Sequence, residues 1–249
     1  SNGSWGVYAR STGLLDVTVA SVATQGDGSV GVDGQITVAN EDALSILVTG
    51  AISTVGNGAL GVRAINAGVT GDATVDVTVR GLITTQGNGS IGVLAQGNGG
   101  LLSLRVADID TQGLGAFGVR ATDTAGGGIE AWVSGLVATS GDGATGIELG
   151  STGTIQLVAN AVSSSGEDAT AISALGEAGV TLEVGTVQGG WDAANGVQFG
   201  STVAGIASTL TVVAGGDLSA LSDQTVRGAA GDEAVVLAGH AVGGMELGA

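Results

Sequence analysis

The chain has 249 residues, of which 49 are glycine; there is no proline and no cysteine, and only six residues are aromatic. Lysine is absent, and six arginines stand against 23 acids for a net charge of −17, which argues against nucleic acid or an anionic membrane as a partner. Missing cysteine removes disulfide and thiol chemistry, and no apolar run is long enough to span a bilayer. So much glycine is compatible with disorder, but apolar and polar residues alternate throughout and mean hydropathy is positive. A narrow core stacked from Val, Ala, Leu and Ile suits this composition.

A truncated repeat, Ser4-Trp5-Gly6-Val7, comes first. Gly26-Asp27-Gly28-Ser29-Val30-Gly31-Val32 follows and returns at Gly56 to Val62, Gly87 to Val93, Gly113 to Val119 and Gly141 to Ile147. Looser copies are read at Gly166 to Ile172, around Trp191 to Val197, and at Gly231 to Leu237. With Gly6 as anchor, the equivalents are Gly31, Gly61, Gly92, Gly118, Gly146, Ala171, Gly196 and Val236, at steps of 25, 30, 31, 26, 28, 25, 25 and 40 residues. Such periods mark a stacked repeat array.

Each unit holds three alternating segments with the period of two expected of strands. The first predicts an inward column of Val7, Val32, Val62, Val93, Val119, Ile147, Ile172, Val197 and Leu237. Its outward neighbours are Tyr8, Asp33, Arg63, Leu94, Arg120, Glu148, Ser173 and Gln198. The second predicts inward pairs from Val17/Val19 through Leu104/Val106 to Leu210/Val212. The third runs Val22, Ile52, Ile83, Ile109, Val137, Val162, Val187 and Leu218. Two residues on, Thr24, Thr54, Thr85, Thr111, Thr139 and Ser164 also point inward, as a ladder able to hydrogen-bond from coil to coil. Gly-Asp/Asn-Gly supplies positive φ at a corner. Insertions fall at Asn66 to Ala73, Thr122 to Gly128 and Ser222 to Gly231. The expected fold is all-β: a parallel β-helix (β-solenoid) of about nine coils of 25–31 residues with three short strands per coil. Residues 1–249 read as a single array, with irregular last coils in 200–249. Ser1-Asn2 and Gly248-Ala249 interrupt repeat units, as in an excised segment of a longer exported protein.

Candidate chemistry weighs little against corner and surface roles. Gly26-x-Gly28-x-x-Gly31 and its copies match a dinucleotide fingerprint but precede strands rather than helices. Asp27, Asn57, Asn88, Asp142 and Glu167 line one corner and offer oxygens to calcium, although Leu114 interrupts them and turn chemistry accounts for them. Asp108, Asp110 and Glu130, with Arg105 and Arg120, are the nearest approach to a polysaccharide-cleaving site, yet scatter along the stack. His240 is the sole histidine, so no multi-His metal site exists. Ser53, Thr84 and Asp110 face outward on the third segment without the regular Thr array that ice binding needs. Trp132 is outward on the second segment near Leu47, Val158 and Val213, a stripe interrupted by Arg105 and Glu183. Trp132, Leu47, Val158 and Arg105 form the candidate contact surface. Trp5 and Trp191 are expected to pack at corners or inside. No cofactor or metal is assigned.

The unit spanning Gly50 to Ala64, Gly81 to Ala95 and Gly135 to Leu149 resembles the degenerate repeats of bacterial autotransporter passengers, the type V secretion family. That resemblance implies an exported or outer-membrane-associated β-helix and specifies no ligand; the translocator barrel common in the family is not in this chain. The expected function is a non-enzymatic stalk or adhesin contacting a protein or glycan at a cell surface. The alternative is a subunit that self-associates through its β-helix ends into an extracellular filament.

Overall fold

The computed structural model describes residues 3–38, 41–69, 71 and 73–248, and for Asp223 the backbone alone. Ser1, Asn2 and Ala249, and parts of the Asn66 to Ala73 insertion, lie outside the described residues. Twenty-three strands and no helix make up the described chain, all paired in parallel across neighbouring coils. They stack as a parallel β-solenoid of about nine coils with three faces.

Period-two sequence becomes three inward columns. On the first face Val7 pairs with Val32, Val32 with Val62, and the column runs on through Val93, Val119, Ile147 and Ile172 to Val197. The second face stacks Val17, Ile46, Val77, Leu104, Ala131, Leu157, Leu182 and Leu210, and the third stacks Val22, Ile52, Ile83, Ile109, Val137, Val162, Val187 and Leu218. Most are fully buried, and each such side chain contributes about 1.5–3 kcal/mol by leaving water. In three coils the second and third faces join as one bent strand, as at Ile129–Ser140, where a register shift between Val133 and Leu136 makes the corner without ending the ladder.

Glycine turns the sharp corner between the third and first faces. Gly58 has φ +64° and Gly56 φ +142°, and the turn closes with Ala59 N–H donating to the Gly56 carbonyl at 3.2 Å. Asp168 (φ +56°) and Asp192 (φ +67°) take the left-handed position in later coils, which Asp tolerates better than most residues. The third glycine of the motif has a different cause. Gly61 reads as outward by parity but is buried: a Cβ there would lie 2.5 Å from the Gly92 carbonyl oxygen and 2.6 Å from Ile83 Cγ2.

The last coils correct the expected register. Val197 pairs with Val226, and Val212 with Leu237. Gly231 to Leu237 is therefore a second-face segment, and Val226 takes the inward place assigned to Leu237. Ser222 to Gly231 is no simple insertion, since its first part lies in the strand Asp217–Arg227. The corner before Val226 contains no glycine; Ser222 Oγ instead donates to the Ala194 carbonyl at 2.6 Å. Without glycine the turn leaves no signature in the sequence.

Two packing expectations are also corrected. The inward hydroxyl column is in register, but Thr24, Thr54, Thr85 and Thr111 Oγ1 have no protein hydrogen-bond partner; only Thr139 and Ser164 bond, at 2.6 Å. Hydroxyls repeated at the strand spacing of about 4.8 Å lie beyond hydrogen-bond reach of one another. Trp5 and Trp191 are exposed by 59% and 47% rather than packed inside. Trp191 occupies the outward corner position, bridged to Glu167.

Candidate functional site

The outward second face carries two parallel columns. One runs Asp16, Ser45, Asp76, Ser103, Glu130, Gln156 and Thr181. The other runs Thr18, Leu47, Thr78, Arg105, Trp132, Val158, Glu183 and Thr211. All four candidate contact residues thus fall in one column. Arg105, Trp132 and Val158 occupy successive rungs, while Leu47 is separated from Arg105 by Thr78.

Arg105 does not interrupt the aromatic surface; it builds it. Its guanidinium carbon lies 4.7 Å from the centre of the Trp132 ring, and Nη1 donates to Ser103 Oγ at 2.9 Å and reaches Asp76 Oδ2 at 3.4 Å. A cation over an indole is worth about 0.5–1 kcal/mol when exposed. The contact also fixes a long, otherwise mobile side chain. Sequence reveals that Arg105 is outward, but not which way its side chain folds.

Beside this column the second-to-third-face corner forms an open groove of about 380 Å³, lined by Thr78, Arg80, Arg105, Trp132 and Ser134 over a floor of Val79 and Val106. Ser134 also lines a second depression of about 280 Å³, which continues along the same corner past Val158, Asn160 and Glu183 to Val213. Groove-floor amides are paired between coils: Ala107 N–H donates to the Val79 carbonyl at 3.0 Å and Gly135 N–H to Ala107 at 3.1 Å. Neither of these amides is free to bond a ligand. Arg80, which composition and parity did not single out, is exposed and has no ionic partner among the described residues.

The calcium-candidate corner has another use. Asp27 Oδ1 accepts Asn57 N–H at 2.9 Å, Asn57 Oδ1 accepts Asn88 N–H at 3.1 Å, and Asn88 Oδ1 accepts Leu114 N–H at 3.1 Å. After the interruption at Leu114, Asp142 Oδ1 accepts Glu167 N–H at 3.0 Å. These oxygens lace each coil to the next. No group of three or more His, Cys, Asp or Glu side chains placed to hold a metal occurs among the described residues.

Of the cleavage-candidate acids, Asp108 and Asp110 line one open depression of about 330 Å³ with Leu82, Leu136 and Ala138, but Glu130 and the two arginines do not join them there. Asp108 sits at a corner, where its Oδ1 accepts Leu136 N–H at 2.9 Å; Asp110 is on the third face, facing Gln112, and Glu130 is on the second. Arg120 belongs to the first face, over the Phe117 ring and 2.9 Å from Glu148 Oε1. His240 is exposed at the start of the strand His240–Glu246. On the outward first-face column, Asp33 is a buried exception: its carboxylate receives Arg63 Nη2 at 2.9 Å and Nε at 3.0 Å, and Gln35 Nε2 at 2.9 Å.

No family model matches the chain, and no curated protein or solved structure matches it.

Proposed function

We propose that the chain is a non-enzymatic, exported β-helix of the cell surface, a stalk or adhesin passenger that contacts a glycan or protein through its outward second face. The observation that carries this reading is the division of labour among polar side chains. Asp27, Asn57, Asn88, Asp142 and Asp108 hold backbone amides of neighbouring coils. The Arg105–Trp132 pair instead stands beside an open groove. The resemblance of the repeat to autotransporter passengers supports export. Purified chain should adhere to target cells or to their extracted surface glycans, and Trp132→Ala should lower that adhesion while leaving the β-sheet circular dichroism unchanged. Equal adhesion by both proteins removes the second face from the reading. Absence of adhesion to any surface removes the adhesin.

End-to-end assembly into an extracellular filament is the second reading. Leu237 and Met245, in inward register beneath Val212 and Val226, are 46% and 41% exposed. Another coil covers such an edge, whether it comes from the same polypeptide or from a second copy. Electron microscopy of the longest expressible form of the protein separates the two: filaments support assembly, and discrete rods support the adhesin.

A further inference from the structure

The corner groove stands apart from the charge of the rest of the rod. In a chain of net charge −17, two of the six arginines line the first depression with no acid among its lining residues, and Glu183 enters only in the second, three coils from Arg105. Asp76 touches Arg105 from the neighbouring column at 3.4 Å, so part of that guanidinium's charge is offset, whereas Arg80 has no ionic partner among the described residues. The arginines are also posed. Arg105 is held against the indole and Ser103, which reduces the side-chain entropy lost when an anion is bound. An anionic group is the complement to this pair.

The groove also has a direction. It follows the rod axis, crossing successive coils from Thr78 past Trp132, Val158 and Glu183 to Val213. Six rungs, five steps of about 4.8 Å, give a path about 24 Å long, which suits a linear polymer. An extended peptide gains much of its affinity from backbone hydrogen bonds to a free strand edge. Here the floor amides of Ala107 and Gly135 are already taken by the preceding coil. A sugar chain needs none of those bonds: hydroxyl and amide side chains such as Thr78, Ser134 and Asn160 meet its hydroxyls, and the half-buried Trp132 ring offers an apolar surface to its C–H groups.

From this geometry we infer that the groove is a binding cleft for a carboxylate-bearing polysaccharide, with the acid of one sugar between Arg80 and Arg105 and the chain running past Trp132 along the rod. The inference deepens the adhesin reading and rests on it. At physiological ionic strength, repulsion from acids remote on the rod is largely screened beyond about 8 Å; Asp76, which touches Arg105, and Glu183, farther along the groove, oppose an anion locally, so the sugar acid is placed at the Arg80 end of the pair.

Polygalacturonate, its methyl ester and poly-glutamate are the probes, with binding measured by titration calorimetry and by fluorescence of a Trp5→Phe/Trp191→Phe protein in which Trp132 is the only indole. Polygalacturonate is expected to bind and shift the Trp132 emission, and the ester to bind at least tenfold more weakly. Arg80→Glu, at an exposed position with no ionic partner among the described residues, should weaken binding at least tenfold with unchanged circular dichroism, and Trp132→Ala should weaken it as well. Binding that does not distinguish acid from ester, or that Arg80→Glu leaves unchanged, overturns the cleft. Equal or tighter binding of poly-glutamate overturns it in favour of an acidic protein partner. Cell adhesion that persists in Arg80→Glu while polygalacturonate fails to bind overturns the cleft and leaves the adhesin reading standing; loss of both activities in the unaltered chain overturns both.

Discussion

Asn88 Oδ1 accepts the backbone N–H of Leu114 at 3.1 Å, but Leu114 has no oxygen with which to extend the ladder to Asp142. Its side chain is 54% exposed instead. Leu114→Asn should restore the missing rung and stabilise the protein by about 0.5–1.5 kcal/mol, the usual net worth of one hydrogen bond. Because a repeat array unfolds in segments, the sharper readout is local: the Asp142 amide should exchange its hydrogen more slowly. Unchanged exchange at Asp142 rules out the ladder as a stabilising device.

Gly58 and Gly61 are three residues apart and should respond differently to alanine. At Gly58 the added Cβ meets nothing within 4 Å, so Gly58→Ala costs only the left-handed conformation at φ +64°, about 1–2 kcal/mol. At Gly61 the same methyl meets the Gly92 carbonyl oxygen and Ile83 Cγ2 at 2.5 and 2.6 Å, which forces coils apart. Because one obstacle is backbone, Gly61→Ala should cost at least about 3 kcal/mol, the upper end for overpacked cores, and so more than Gly58→Ala. Denaturant titration of both variants checks the order.

How much of this was readable beforehand follows from the range of each interaction. Val62 and Val93 announce their stacking because parity is local and both follow the same turn motif. The bond from Asn57 to Asn88 spans 31 residues and depends on which lone pair faces the next coil, so the sequence favours a turn role over calcium without revealing the bond between coils. Val226 was displaced by Leu237 because the corner before it is made by Ser222 without glycine. At the candidate site, parity found Trp132 and Arg105 but treated the arginine as a gap; only side-chain geometry turns it over the ring. Arg80 escaped because corner residues follow neither face's alternation.

The inward hydroxyls offer a paired test. Thr85 Oγ1 is buried with no protein partner, and valine has nearly its shape, so Thr85→Val should be neutral or stabilising by about 1 kcal/mol. Thr139 differs, because its hydroxyl shares a 2.6 Å bond with Ser164. Thr139→Val leaves Ser164 without that partner and should destabilise by about 1–2 kcal/mol. Thermal melts showing both variants equally destabilised would mean that the whole column is hydrogen-bonded.

Asp33 makes the strongest demand on its neighbours, since its side chain has no exposed surface while that of Arg63 keeps 30%. The carboxylate depends on the two-pronged contact from Arg63 and on Gln35. Arg63→Ala removes the ionic partner of Asp33 among the described residues and leaves a buried anion, which should cost about 2–4 kcal/mol, at the lower end if water reaches the vacated surface. Arg63→Lys keeps the charge but loses the fork, and should fall between the two. If the loss comes from the stranded carboxylate rather than from the missing arginine, then Asp33→Ser combined with Arg63→Ala should be more stable than Arg63→Ala alone. Denaturant titration of the singles and the double gives the coupling directly. Additive losses would instead show that Arg63 contributes by packing its alkyl stem against the coil and not through Asp33.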